Sequence, residues 1–337
     1  MSVKISLVIP GLCGPIPEID ETHPAASDLL KLLKPARATS TSMTGFANQL
    51  AKLFDINTSG KIPHAALSLE GVGIDPGEAC WVRADPVNLQ ADMDRAILSD
   101  GQSLNLRTDE AEKLVDELNQ HLAEDGLSVL LADSNNWFIK LDDCEFTTTP
   151  LHDAAGRNIN HLLPEGKSAG YWKSLLNEIQ MLLHMSSVNT AREQRGQAAI
   201  NSIWLWGEGC LPAKGNPDIT RVWTDDMLTA GMARLHDISF TALTDVNELT
   251  NHMNSGTHSL ITFEQLNQPA CYGDAAAWHN ALGDLVNVWL LPIVELARAG
   301  KASLDVYPCN GIKYRLLPSA INLQFWKKAR LQDYVES

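Results

Sequence analysis

Apolar runs of strand length punctuate the chain, and between several of them the apolar positions widen to helical spacing. "KISLVI", "ACWVRA", "LSVLLA", "NWFIKL", "NSIWLW", "HSLITF", "SLDVY" and "IKYRLL" are short, rich in β-branched and aromatic residues, and read as strands. In "TDEAEKLVDELNQHLAEDG" Ala111, Leu114, Val115, Leu118 and Leu122 share one helical face, and Gly126 supplies the stop. In "YWKSLLNEIQMLLHM" the stripe is Trp172, Leu175, Leu176, Ile179 and Leu183. Strands alternating with helices predict an α/β fold, a sheet flanked by helices.

Three stretches raise questions. "STSMTGFANQLAKLFD" places Met43, Phe46, Leu50, Leu53 and Phe54 on one face and predicts a helix capped by Ser40, Thr41 or Ser42. A helical pattern from Ala275 to Ala299 contains Pro292, which has no N–H to give the preceding turn, and predicts a kink or two helices. The opening "KISLVIPGLCGP" ends its apolar run in Pro10-Gly11. In open α/β sheets that end of a strand is where ligands and catalytic groups collect, yet Pro10 offers neither donor nor charge.

Composition narrows the classes of partner. With 337 residues, 45% hydrophobic and 20% charged, the chain has material for one large domain or two unequal ones. A formal charge of -15 repels nucleic acid and anionic membranes and leaves small molecules or proteins as partners. No run approaches the roughly 20 apolar residues of a spanning helix, and the N-terminal stretch is too short and too weakly basic for a secretory signal, so the cytoplasm is expected. Cys13, Cys80, Cys144, Cys210, Cys271 and Cys309 form no CxxC pair, which predicts reduced, isolated thiols.

"GVGIDPGEACWVRADPVNLQADMDRAILSDGQSLNLRTDEAEKLVDELNQ" resembles the inserted domain of the archaeal-type cofactor-independent phosphoglycerate mutases, where a Gly-rich turn and "PGD" lead to an Arg-centred strand and a "TEEA" helix. "NTAREQRGQAAINSIWLWGEG" resembles that family's return into its catalytic core, and "LITFEQLNQPACYGDAAAWHNALGDL" its "DEAGHDGD" stretch. The resemblance implies an alkaline-phosphatase-like sheet core flanked by helices with an inserted α+β domain. The core is then residues 1-71 plus 201-337, and the inserted domain 72-200. It also implies chemistry: two divalent metals, manganese or zinc, held by Asp and His, and a Ser nucleophile that carries the phosphoryl group.

Against that pattern the ligand positions are altered. The family's first-strand Asp corresponds to Pro10, the Asp and His of "DEAGH" to Asn267 and Cys271, and the late "Asp-His" pair to the segment Pro308, Cys309, Asn310, Gly311. Asn, Pro and a stray thiol hold divalent ions poorly, so neither metal nor other cofactor is expected. His252, His258, Asp274 and Asp284 are polar residues available to a different site, or ordinary loop and surface residues. Ser40, Thr41 and Ser42 fall near the family's Ser loop and are the candidates for a nucleophile, with helix capping as the alternative.

The basic residues fare differently. The family holds substrate phosphate and carboxylate with arginines of the insertion and return segments. The corresponding candidates are Arg83 with Asp85, Arg95, Asn189, Arg192 and Arg195. Arginine's planar fork suits bidentate capture of such anions. The alternative is ion pairing, since Arg83 stands two residues from Asp85 and Arg95 follows Asp94. Trp204 and Trp206 read as packing residues, and His64 as a loop residue.

The reading is therefore a phosphoglycerate mutase-like protein that has lost two-metal phosphotransfer and binds a small phosphorylated or carboxylated metabolite, in a regulatory role. Two rivals stand beside it: an active mutase or phosphohydrolase with rearranged manganese or zinc ligands, and a non-catalytic partner-binding protein. Oligomeric state is not written in the sequence.

Overall fold

A computed structural model describes residues 3–16, 20–57, 60–92, 95–155, 157–252, 257–316, 330 and 333–334, with backbone alone at 91–92, 95–97, 100–102 and 160. Strands are numbered in chain order. The chain divides into two compact units, Met1–Asn57 with Ala213–Ser337, and the inserted Thr58–Pro212. The crossings expected near 71 and 201 fall inside the second unit. There the helix His64–Val72 and the strand Ser202–Cys210 pack on the strand that opens at Cys80 and so belong with it.

The inserted unit holds β3 (Cys80–Asp92), β4 (Arg95–Asp100), β5 (Val129–Asp133), β6 (Asn136–Leu141), the short β7 (Phe146–Thr147) and β8 (Glu165–Gly166), and β9 (Ser202–Cys210). Long β3 is the hub: β4, β6 and β9 all pair with it antiparallel, and β5 extends β6. The expected helices form as Thr108–Leu122 and Ala169–His184, and all ten residues of their two stripes are buried against β3, β6 and β9 side chains such as Val82, Ile139 and Leu205. Gly126 takes the left-handed conformation that ends the first of them.

The other unit carries β1 (Val3–Val8), β2 (Arg37–Thr44), β10 (Arg221–Trp223), β11 (Phe240–Thr241), β12 (His258–Thr262), β13 (Ala302–Tyr307) and β14 (Asn310–Leu316) in one mixed sheet, order β11-β10-β12-β1-β13-β14-β2. The first five strands run parallel, β14 pairs antiparallel with β13, and β2 pairs antiparallel with β14, so β14 alone runs against the rest. Ile5, Leu7, Ile261, Leu304 and Val306 point to one face and pack on the helices Pro24–Leu33, Ala275–Leu285 and Leu291–Arg298. The alternate positions of β1 are polar: Lys4 stands opposite His258, and Ser6 opposite Asp305.

Two expectations are corrected here, and one holds. Ser40, Thr41 and Ser42 neither cap a helix nor form a loop; they lie in β2, paired with β14, and the helix begins only at Phe46 after Gly45, with no side-chain cap. Pro292 stands at the start of the second of two α-helices, as expected: a π turn, Val286–Leu290, in which the Leu291 N–H bonds the Val286 carbonyl, links Ala275–Leu285 to Leu291–Arg298 in one helical stretch. The resulting helix, Ala275–Arg298, is long and apolar enough to cross a membrane by length and composition, but Trp278, Leu282, Leu285, Leu290 and Ile293 are buried in the core of this unit. Lastly, Cys80 and Cys210, 130 residues apart, form a disulfide, because β3 and β9 set them directly opposite each other. Cys13, Cys144, Cys271 and Cys309 form no disulfide.

Candidate functional site

In the inserted unit Arg83 and Asp85, two residues apart on β3, project to the same face. Arg83 Nε donates to Asp85 Oδ2 at 3.0 Å and Nη2 reaches the same carboxylate at 2.9 Å. Nη2 also donates to Asn136 Oδ1, and the guanidinium lies 4.9 Å from the Trp206 ring and 5.2 Å from that of Phe138. Asp85 accepts further bonds from Trp206 Nε1 at 2.7 Å and the Trp137 backbone N–H at 3.3 Å. Burial pushes the Asp85 carboxyl up from its ordinary value, against the pull of Arg83. The pair is thus an enclosed, hydrogen-bonded unit, not the surface ion pair that its spacing allows.

His64 opens the helix His64–Val72 and is not a loop residue. Its ring lies 4.6 Å from that of Trp206, and its buried Nδ1 has no hydrogen-bond partner. Burial, with His152 and Arg83 nearby, holds its pKa well below the usual imidazole value. Trp204 is a packing residue, its Nε1 bonded to the Thr149 carbonyl at 2.9 Å. Arg95 lies in β4, and its side chain is outside the described residues.

Asn189, Arg192 and Arg195 form a second cluster with other partners. Arg192, fully buried, donates from Nε to the Ala198 carbonyl at 2.9 Å, from Nη1 to Glu110 at 2.6 Å, and from Nη2 to the Leu104 carbonyl at 2.6 Å. Arg195 also reaches Glu110. Burial alone would raise the Glu110 carboxyl, but the Arg107 N–H and then Arg192 outweigh it and hold it below the ordinary range. The Asn189 side chain donates to the Leu183 and Ile200 carbonyls and accepts from the Ile200 N–H at 2.7 Å. For Asn189 and Arg192 the expected role of facing a cleft is therefore corrected: Arg192 braces the return segment against the helix Thr108–Leu122, and Asn189 ties Leu183 at the end of the helix Ala169–His184 to Ile200. Glu110 stands in the "TDEA" stretch that resembles the family's "TEEA" helix, whereas Asn136, which accepts from Arg83, carries no sequence motif that would have marked it.

The end of β1 in the other unit can be tested for metal. Gly11 has φ +77°, and a Cβ there would lie 2.5 Å from the Leu266 carbonyl oxygen. Trp278 Nε1 donates to the Gly11 carbonyl at 2.8 Å, and Ile9, Leu12, Leu266, Ala270 and Trp278 are buried in one apolar cluster. The turn after β1 is thus filled by main chain and hydrocarbon. Asn267 and Cys271 pair loosely with each other, Sγ to Oδ1 at 3.9 Å, and burial pushes the nearby Cys309 thiol far above its ordinary value, with Glu264 adding to it. Asn310 Oδ1 accepts from the Ile312 N–H at 3.3 Å. This donor set does not fit manganese or zinc, which favour carboxylate, imidazole and thiolate.

The remaining polar candidates are dispersed. Asp274 caps the helix Ala275–Leu285, His252 ends another helix with its ring 5.9 Å from Trp223, and Asp284 is exposed on the helix surface. His258 Nε2 lies 2.9 Å from Ser6 Oγ and its Nδ1 2.8 Å from Asp218. Those three residues have the connectivity of a hydrolytic triad, but Ser6 has no exposed surface and no substrate can reach it. Among the described residues no group of three or more His, Cys, Asp or Glu side chains is placed to hold a metal.

The fold defines the class: a mixed α/β sheet flanked by helices, interrupted by an inserted α+β unit. A solved structure, the PH0037 protein of Pyrococcus horikoshii, shares this fold at TM-score 0.50 and 13% identity, covering 94% of this chain and 87% of that one. Residues 57–189, nearly all in the inserted unit, match the family model of the 2,3-bisphosphoglycerate-independent phosphoglycerate mutases. The enzyme of that name from Methanosarcina mazei is 29% identical over 160 residues, 46% of this chain and 38% of its own length. A second, from Methanothermobacter thermautotrophicus, is 31% identical over 113 residues, 32% of this chain and 28% of its own. Over this stretch the chain is similar to the cofactor-independent phosphoglycerate mutases, and the match spans less than two fifths of the length of these curated relatives.

Proposed function

We propose that this chain is a phosphoglycerate mutase-like protein of the cytoplasm that does not carry out two-metal phosphotransfer and instead binds a small phosphorylated or carboxylated metabolite in a regulatory role. One observation carries the first part: the Leu266 main chain and an apolar cluster occupy the turn after β1 where the family's first metal ligand would stand. The core strands whose ends would have carried the metals lie outside the matched residues 57–189. The anion-binding part rests on the inserted unit. Arg195 is half-exposed beside Glu110 and can turn a donor outward, whereas Arg83, enclosed with Nε and Nη2 on Asp85 and Asn136, orders the interior of the unit. Arg192, with all three nitrogens engaged, positions the segment and does not touch ligand.

Thermal unfolding of the metal-stripped protein against 3-phosphoglycerate tests this, since a ligand bound only by the native state raises Tm. A metal-independent rise that shrinks in Arg195→Ala is expected. A rise that requires manganese, or turnover of 3-phosphoglycerate to 2-phosphoglycerate, would overturn the proposal in favour of an active mutase. No rise with any small phosphorylated or carboxylated acid would move the protein to a partner-binding role.

A further inference from the structure

The disulfide of the inserted unit sits where it can influence the Arg83 cluster without touching it. Cys80 opens β3 and Cys210 closes β9, and the same two strands carry Arg83 and Trp206 as cross-strand partners. Between the two pairs the ladder slips: β3 advances from Trp81 to Arg83 while β9 runs back from Gly209 to Trp206, leaving an extra residue on β9. The bulge is Gly207-Glu208-Gly209, with φ +67° at Gly207 and +148° at Gly209. It presses on the start of the helix His64–Val72. A Cβ on Gly207 would meet His64 Cβ at 2.5 Å, and one on Gly209 would meet Pro63 Cβ at 2.7 Å. Glu208, buried in the bulge, is held by Lys61 Nζ at 3.0 Å and by the Thr148 hydroxyl.

We propose that Cys80 and Cys210 form a reversible thiol–disulfide clasp that fixes the Gly207–Gly209 bulge and, through it, the placement of Trp206 and Glu208. Access favours reversibility: Cys210 is exposed and Cys80 partly so. The third cysteine of the unit does not compete, because burial, reinforced by Glu208, pushes the Cys144 thiol up to about 11. The exchange partner is a low-molecular-weight disulfide or a dithiol. In oxidation the Cys210 thiolate attacks the external disulfide, forming a mixed disulfide and releasing one thiolate. The Cys80 thiolate then attacks Cys210 Sγ, forming the Cys80–Cys210 bond and expelling the second thiolate. The two protein thiols lose two electrons and two protons, and the external disulfide gains both to become two thiols. A dithiol runs the sequence backwards, entering at the exposed Cys210 sulfur.

The clasp does not depend on the anion-binding proposal and is tested separately. The full chain is treated with oxidised glutathione or dithiothreitol, digested without reduction and analysed by mass spectrometry, and amide exchange over residues 206–210 is followed in both states. We expect a Cys80–Cys210 linked peptide that dithiothreitol removes and oxidised glutathione restores, with exchange across the bulge about fivefold or more faster when reduced. A Cys80→Ala/Cys210→Ala variant should exchange at the reduced rate under both treatments. Absence of the linked peptide under oxidised glutathione would overturn the inference. So would a linked peptide with unchanged exchange rates, or a double variant that still responds to oxidant.

Discussion

Arg192 and Glu110 meet at 2.6 Å, with Arg192 completely enclosed and its other nitrogens bonded to main-chain carbonyls. Breaking such a pair strands a buried charge. Glu110→Gln and Arg192→Met are each expected to lower unfolding free energy by about 3–5 kcal/mol in urea titrations. Arg195→Ala, which removes a half-exposed partner of the same Glu110, should cost less than about 1 kcal/mol. Similar losses for Arg192 and Arg195 variants would deny the brace.

Trp206 joins packing to electrostatics by giving its Nε1 proton to Asp85 at 2.7 Å while its ring faces Arg83. Trp206→Phe keeps most of the ring and deletes a donor to a buried carboxylate, which is expected to cost about 1.5–3 kcal/mol. A Trp204→Phe control loses only a bond to a neutral carbonyl and should cost about 1 kcal/mol. Chemical denaturation of the two variants side by side decides between them.

Buried histidines make the fold sensitive to acid: His64, His152 and His258 all have pKa values lowered by burial. Burial lowers the folded-state pKa of His64, with His152 and Arg83 adding to it, and burial followed by Lys4 lowers that of His258 against the opposing pull of Asp218. A depressed imidazole pKa means that the unfolded chain takes up the proton first. The stability is thus fully present above the ordinary 6.5 and lost as pH falls below it. Tm is expected to drop between pH 7 and pH 5, and His64→Gln combined with His258→Gln should flatten that slope. An unchanged slope in the double variant would remove both histidines from the explanation.

Gly11 and Gly300 separate conformational strain from collision. Both have positive φ, +77° and +73°, but a Cβ on Gly300 meets nothing within 4 Å, whereas one on Gly11 meets the Leu266 carbonyl. Gly300→Ala should cost about 1–2 kcal/mol from backbone strain, and Gly11→Ala distinctly more because main chain must shift. Equal losses would mean that the turn after β1 is more open than its packing implies.

The amphipathic helices were legible because their stripes answer directly to burial: Thr108–Leu122 and Ala169–His184 bury the side chains that the spacing assigns to the core. Most strands declared themselves through β-branched and aromatic content. The hydroxyl run at Ser40–Ser42 did not, because Ser and Thr serve caps, turns and edge strands alike, and only pairing with β14 selects the strand. Nor could spacing reveal that Cys80 and Cys210 face each other, which depends on strand register across 130 residues. Arg192 looked like a ligand because its residue type suits anions equally well whether the anion is a metabolite or Glu110.

Whether the turn after β1 holds metal is read from metal stoichiometry. The purified protein would be stripped of metal, dialysed against manganese or zinc, and its bound metal measured by mass spectrometry alongside conversion of 3-phosphoglycerate. Binding far below one ion per chain and no metal-stimulated conversion are expected. Two ions per chain, with conversion that follows their loading, would contradict this and make this chain a working mutase.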